Sequence, residues 1–143
     1  MASGTAADCI FCKIIRGEIP ASTVYRDEAV IAFMDIGPVN PGHLLVAPTS
    51  HAASLADLRE RDGERVFGVA QRLAGALRQS GVRCEGVNLF LADGEAAGQE
   101  VFHIHLHVVP RFRDDPVRFS WPRSQASRDD LNAHAAAIRS GLW

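Results

Sequence analysis

The chain has 143 residues, with 15 Lys and Arg against 17 Asp and Glu, and a formal net charge of -2 at pH 7 with histidine neutral. A hydrophobic fraction of 47% and a charged fraction of 22% belong to one globular domain with its own core, not to a disordered chain. The absence of a basic excess argues against nucleic acid as partner, and no apolar run approaches the roughly 20 residues of a membrane span.

Residues 1–8 are small and polar, with neither a basic n-region nor an apolar h-region, so they do not read as a signal peptide. They are expected to be a disordered end, with residues 9–143 as a single domain. Three cysteines, Cys9, Cys12 and Cys84, cannot all pair, which points to a reducing compartment and hence the cytoplasm. Cys9 to Arg16 reads as a short helix, closed by Gly17 and stopped by Pro20. Thr23–Arg26 and Ala29–Met34 are rich in β-branched and aromatic residues around an Asp27-Glu28 turn, which predicts a hairpin. A rigid loop from Gly37 to Gly42 leads to a strand over His43–Ala47, ended by Pro48.

From about Asp62 to Gln79, Val66, Val69, Ala70, Leu73 and Leu77 recur at helical spacing, and Gly81 closes the helix. Gly86–Leu91 and Phe102–Val109 read as two more strands, joined by the loop 93–99. A last helix starts at Ser127, a good N-cap, and runs to about Ile138. About five strands and two or three helices, with the strands grouped, predict an α+β fold with an antiparallel sheet.

The chemistry concentrates in Gly98-Gln99-Glu100-Val101-Phe102-His103-Ile104-His105-Leu106-His107-Val108-Val109-Pro110-Arg111. Half of the six histidines sit within five residues. On a strand His103, His105 and His107 share one face, about 6.8 Å apart, while Ile104, Leu106 and Val108 bury the other. Three such imidazoles have two sharp uses. His-x-His on a strand is a zinc geometry that leaves a position open for water. Alternatively, a neutral imidazole is a nucleophile near pH 7. The preceding loop favours the second use: Gly94 and Gly98 let backbone amides approach an anion, and Gln99 adds an amide donor.

The pattern of three histidines alternating with apolar residues, preceded by Gly-Gln and followed by Pro-Arg, resembles that of the histidine triad (HIT) family. The likeness extends upstream through Asp8-Cys9-Ile10-Phe11-Cys12-Lys13-Ile14-Ile15, Gly17-Glu18-Ile19-Pro20, Ala32-Phe33-Met34-Asp35-Ile36, Pro41-Gly42-His43, Pro48 and His51. These are features of the bacterial Hint-like branch, and they span roughly residues 8–123. The resemblance implies an α+β HIT fold and a homodimer. It also implies displacement at the α-phosphate of a purine nucleotide, a phosphoramidate or adenylylated compound, with His105 as nucleophile and a nucleotidyl-histidine intermediate. Hydrolysis of dinucleoside polyphosphates, and a nucleotide-binding regulatory module with little turnover, are the alternatives.

By the same resemblance His107 contacts the phosphate, His43 supports the triad, and Gln99 completes the catalytic set. Asp35 binds the ribose hydroxyls, while Ile36, Ile10, Phe11, Gln99, Glu100 and Val101 contact the nucleotide. Ala92 departs from the asparagine of many relatives, and Glu100 from a serine or threonine. In some bacterial relatives the Cys9-x-x-Cys12 pair joins two histidines, here His51 and His103, to bind a structural Zn²⁺. No catalytic metal is expected. Cys84 has no neighbour at ligand spacing and reads as a small apolar filler.

Overall fold

A computed structural model describes residues 5–142. Of the expected disordered end, residues 1–4 lie outside the described residues. Thr5 to Asp8 form a turn, closed by the Asp8 N–H donating to the Thr5 carbonyl at 3.2 Å. The elements in chain order are α1 (Ile10–Ile15), β1 (Thr23–Arg26), β2 (Val30–Met34), β3 (Leu44–Pro48), α2 (Glu60–Gln79), β4 (Gly86–Leu91), β5 (Leu106–Arg111) and α3 (Arg128–Ser140). The strands form one antiparallel sheet in the order β1-β2-β3-β5-β4, so the α+β expectation holds.

The central strands β2 and β3 are apolar at every position because both faces of the sheet are covered. Val30, Ala32, Leu44, Val46, Leu106 and Val108 pack on α2 through Val66, Val69, Ala70, Leu73 and Leu77. The alternate residues Ile31, Phe33, Leu45 and Ala47 pack on the opposite face against Cys9, Phe11 and Cys12 at α1. The period-2 alternation of the strands thus divides the core into two layers. Gly42, before β3, has φ +94°, and a Cβ there would lie 2.8 Å from Val82 Cγ1. Both the conformation and the crowding require glycine.

One strand departs from expectation. The segment expected as a strand over Phe102–Val109 becomes one only at Leu106. Before that point the backbone leaves β3: the Ile104 N–H donates to the Ala52 carbonyl at 2.7 Å. His103 and His105 therefore lie on the approach to β5, and only His107 is within it. Ile104, Leu106 and Val108 are buried as expected.

Candidate functional site

A cavity of about 530 Å³ opens on the α1 side of the sheet. Its apolar lining includes Ile10, Ile14, Ile19, Pro20 and Ile36 together with Phe90, Val109 and Phe119. His43, His105 and His107 line it as well. β5 delivers His107, and its antiparallel register sets Phe90 of β4 beside it, with ring centroids 5.8 Å apart. The loop 37–42 delivers His43. That loop is pinned by buried Asn40, whose Nδ2 donates to the Pro110 carbonyl and to Asp115 Oδ2, both at 2.9 Å.

Main-chain partners decide which nitrogen of each ring carries its proton. His105 Nδ1 lies 2.7 Å from the His103 carbonyl, which can only accept. Nδ1 therefore holds the proton, and the Nε2 lone pair is available in the cavity. The Val39 N–H donates to His43 Nδ1 at 3.2 Å, so in neutral His43 the proton sits on Nε2. From there it is donated to His107 Nδ1 at 2.9 Å, which leaves the His107 proton on Nε2. Burial pushes the pKa of His43 and His105 below the ordinary imidazole value. Burial, reinforced by the neighbouring imidazoles of His105 and His43, brings His107 down to about 4. At neutral pH the cluster is uncharged. It presents one lone pair and one N–H donor to whatever enters, a pairing suited to attack on an electrophilic phosphorus.

The other candidate residues fall at the cavity with different degrees of commitment. Asp35 Oδ1 accepts from the Gly37 N–H at 2.8 Å, while Oδ2 lies 3.6 Å from His43 Nε2. Ile36 is fully exposed at the rim, and Ile10 is exposed beside it. Phe11 is buried and meets the His105 ring edge-on at 4.9 Å, so it also braces that ring. Val101 and exposed Glu100 line the mouth, and Ala92 is a buried part of the wall.

The loop before the triad corrects one expectation. Both amide hydrogens of Gln99 are taken internally, by the carbonyls of Ala53 at 2.7 Å and Val101 at 3.1 Å. Its Oε1 accepts from the Gly94 N–H at 2.8 Å, and the Gly98 N–H donates to the Glu95 carbonyl. Gln99 therefore shapes the loop and has no amide hydrogen left for an anion. Gly94 and Gly98 are needed for their φ of +95° and +88°. Phe90 and Phe119 escaped the sequence reading. Phe90 could have been found by pairing β4 with His107, but nothing local marks Phe119.

His103 does not join the other two rings. It is fully buried and its Nε2 bonds to the Pro48 carbonyl at 2.8 Å. Its Nδ1 faces Cys9 Sγ at 3.4 Å and Cys12 Sγ at 3.6 Å. His51 Nδ1 lies 3.4 Å from Cys12 Sγ, and the four ligand atoms lie within 4.8 Å of one another. Zn–S near 2.3 Å and Zn–N near 2.0 Å in a tetrahedron give S···N edges of about 3.5 Å, so the donor set fits zinc. The Pro48 carbonyl would orient the His103 ligand from behind. Without metal, burial and then Cys9 push the Cys12 thiol up to about 11. Cys84 stands apart, donating to the Gly86 carbonyl.

The HIT domain family model matches residues 16–114. Adenosine 5'-monophosphoramidase of Saccharomyces cerevisiae is 35% identical over 127 residues, which cover 87% of this chain and 77% of that protein. The crystal structure of a HIT family protein from Bacillus anthracis superposes with a TM-score of 0.91 at 39% identity, covering 97% of this chain and 100% of that one. A Zn-bound histidine triad family protein from Mycobacterium smegmatis superposes with a TM-score of 0.77 at 39% identity, covering 96% and 99%.

Proposed function

Because the chain belongs to the HIT family, we propose that it is a nucleotide hydrolase or transferase acting at the α-phosphate of purine nucleoside phosphoramidates or adenylylated compounds. The observation that carries this reading is the orientation of His105. The His103 carbonyl takes its Nδ1 proton and leaves Nε2 as the one uncommitted imidazole lone pair of the cluster. Nε2 attacks phosphorus, a P–N bond forms, and the bond to the leaving group breaks with its electron pair going to the departing atom. The resulting imidazolium is stabilised through Nδ1–H by the carbonyl. Water then attacks phosphorus, the P–Nε2 bond breaks, and nucleoside monophosphate and neutral His105 are released.

His107 donates its Nε2–H to the phosphoryl oxygens as charge develops, held in place by His43. Asp35 takes the ribose hydroxyls, and Ile10, Phe11 and Ile36 enclose the base. Gln99, Glu100 and Val101 form the loop beside the phosphate. Zinc at Cys9, Cys12, His51 and His103 is structural, since four protein ligands leave no position for water. The protein acts as a cytoplasmic homodimer without nucleic-acid or membrane partners. Among the described residues no helix is long and apolar enough to cross a membrane. The likeness to the yeast adenosine 5'-monophosphoramidase supports the phosphoramidate choice.

The test is a turnover screen with adenosine phosphoramidate, diadenosine polyphosphates and aminoacyl-adenylates, with acid-free rapid quenching. A mass increase of one nucleoside monophosphate on the His105 peptide is expected with the first or third class. Turnover without any adduct would overturn the covalent route. A second reading rests on Asp35, His43 and His107, whose ligand atoms also lie within 4.8 Å of one another. If EDTA abolished activity at once and Zn²⁺ or Mn²⁺ restored it with the fold intact, a metal-dependent hydrolase would replace the first reading.

A further inference from the structure

The proposed reaction gives work to much of the cavity. Asp35, Ile10, Phe11 and Ile36 take the nucleoside, and His105 and His107 the phosphate. Phe90 and Phe119 line the same cavity and are left without a role. Phe90 neighbours His107, its partner in the β4–β5 register, at 5.8 Å between centroids. Phe119 lies nearly parallel to Phe90, at 6.1 Å and 14°. Both residues stay exposed, so the pair keeps ring area that a third flat group can cover. Phe119 belongs to no strand or helix, yet its place is built. Buried Asp115 accepts from Arg111 Nε at 2.7 Å and Nη2 at 2.9 Å, and from the Phe112 and Val117 N–H groups, both at 3.1 Å. These bonds fold the chain back after β5, and the Arg111 guanidinium lies over the Phe119 ring, 5.3 Å from its centroid. A buried carboxylate, costly to desolvate unless fully partnered, thus holds an exposed ring against the cavity.

Charge decides what the pair can receive. Among the described residues no Lys or Arg lines the cavity, whose acidic side chains are Asp35 and Glu100. Arg111 cannot serve from behind, because four of its five N–H donors go to Asp115, Asn88 and the Val117 carbonyl. A polyphosphate leaving group would bring several negative charges to a wall with no cation to meet them. In-line displacement puts the leaving atom across phosphorus from His105 Nε2. Whatever departs therefore needs a surface other than the one that holds the base, and the unassigned surface is aromatic and uncharged.

We propose that Phe90 and Phe119 form the leaving-group subsite, which selects phosphoramidates whose departing amine carries an aromatic ring over those of small aliphatic amines and over polyphosphates. This rests on the displacement proposed above and names what is displaced. The experiment compares kcat/KM of the full chain for the adenosine 5'-phosphoramidates of benzylamine and 2-methoxyethylamine, which are similar in basicity and differ in the ring, and for a diadenosine polyphosphate. The ratio between the two amines is read within each protein, so a general loss of activity cancels. Wild type should favour the benzyl substrate about tenfold, the size of one aromatic contact, and should turn over the polyphosphate slowest. Phe119→Ala should bring the ratio near one, and Phe119→Tyr, which keeps a ring, should retain it. Circular dichroism checks the fold of both variants. Equal turnover of the two amines by wild type would overturn the subsite and leave the displacement standing. So would a preference that survives Phe119→Ala, one lost equally in Phe119→Tyr, or a polyphosphate turned over faster than either amine. No turnover of either phosphoramidate would overturn the displacement and the subsite together.

Discussion

Two histidine clusters each draw on one short stretch of chain, residues 103–107, and the main chain presents their rings in opposite ways. His103 faces Cys9, Cys12 and half-buried His51 in a closed set, whereas His105 and His107 face a cavity with His43. The residue type is the same in both. What differs is which ring nitrogen the main chain claims. The Pro48 carbonyl holds Nε2 of His103 and turns Nδ1 to the sulfurs, while the His103 carbonyl holds Nδ1 of His105 and turns Nε2 to the cavity. On the proposed function, a carbonyl placed on one side of an imidazole or the other selects between a metal ligand and a nucleophile.

The sharpest way to break the comparison is to disable each cluster in turn and ask which property fails. His105→Ala should lower kcat by at least ~10³-fold, since no second nucleophile stands in the cavity, and should leave metal content unchanged. His107→Ala should cost about 10²-fold, the loss of one donor to developing charge. Equal, small losses in both variants would mean that neither ring does chemistry.

Cys9→Ala addresses the other cluster. Protein purified without chelator should carry about one zinc per chain, and the variant none, with a lower melting temperature because metal binding energy is folding energy. A short EDTA treatment of wild type should leave the rate nearly unchanged, because a buried closed site releases metal slowly. Zero metal in both proteins would reduce the pair of thiols to packing groups.

The smallest effect expected is in acid stability. His107 titrates near the ordinary imidazole value of about 6.5 when unfolded but at about 4 in the fold. Between these values the unfolded chain binds more protons, so stability falls as pH drops from about 6.5 towards 4 and is fully present above that window. His107→Gln, which keeps an acceptor and cannot titrate, should flatten the decline of melting temperature across it. An unchanged decline would show that His107 is charged in the fold.

The sheet, its helices and the positions of nearly all elements were legible because the core is two-layered and each layer leaves a periodic trace. Val66, Val69, Leu73 and Leu77 mark α2, and the apolar runs of β2 and β3 mark strands covered on both sides. The family likeness supplied the Cys9, Cys12, His51 and His103 grouping, and the ligand atoms do converge. What the sequence hid was set by tertiary hydrogen bonds. The divergence of His103 depends on Ile104 bonding to Ala52, a contact between segments 52 residues apart. The commitment of Gln99 depends on the Ala53 carbonyl. The support of the loop bearing His43 comes from Asp115, which accepts from Asn40 and from Arg111 and has no signature of its own. Periodicity reports burial, but it does not say which carbonyl a buried donor will meet.

The run of hydrogen bonds from the Val39 N–H through His43 to His107 Nδ1 also bears on the proton inventory of the proposed reaction. An amide does not surrender its hydrogen near neutrality, so the run begins at a dead end and cannot conduct. Neutral His107 could give up its Nε2 proton only by becoming an imidazolate, or by drawing one through a ring that has none to spare. It can orient and stabilise, but it is a poor acid. The proton that leaves with the departing nitrogen must then arrive on the substrate. Turnover across a series of amine leaving groups should therefore follow how readily the substrate nitrogen is protonated, with the enzyme acting as a fixed electrostatic frame around that event.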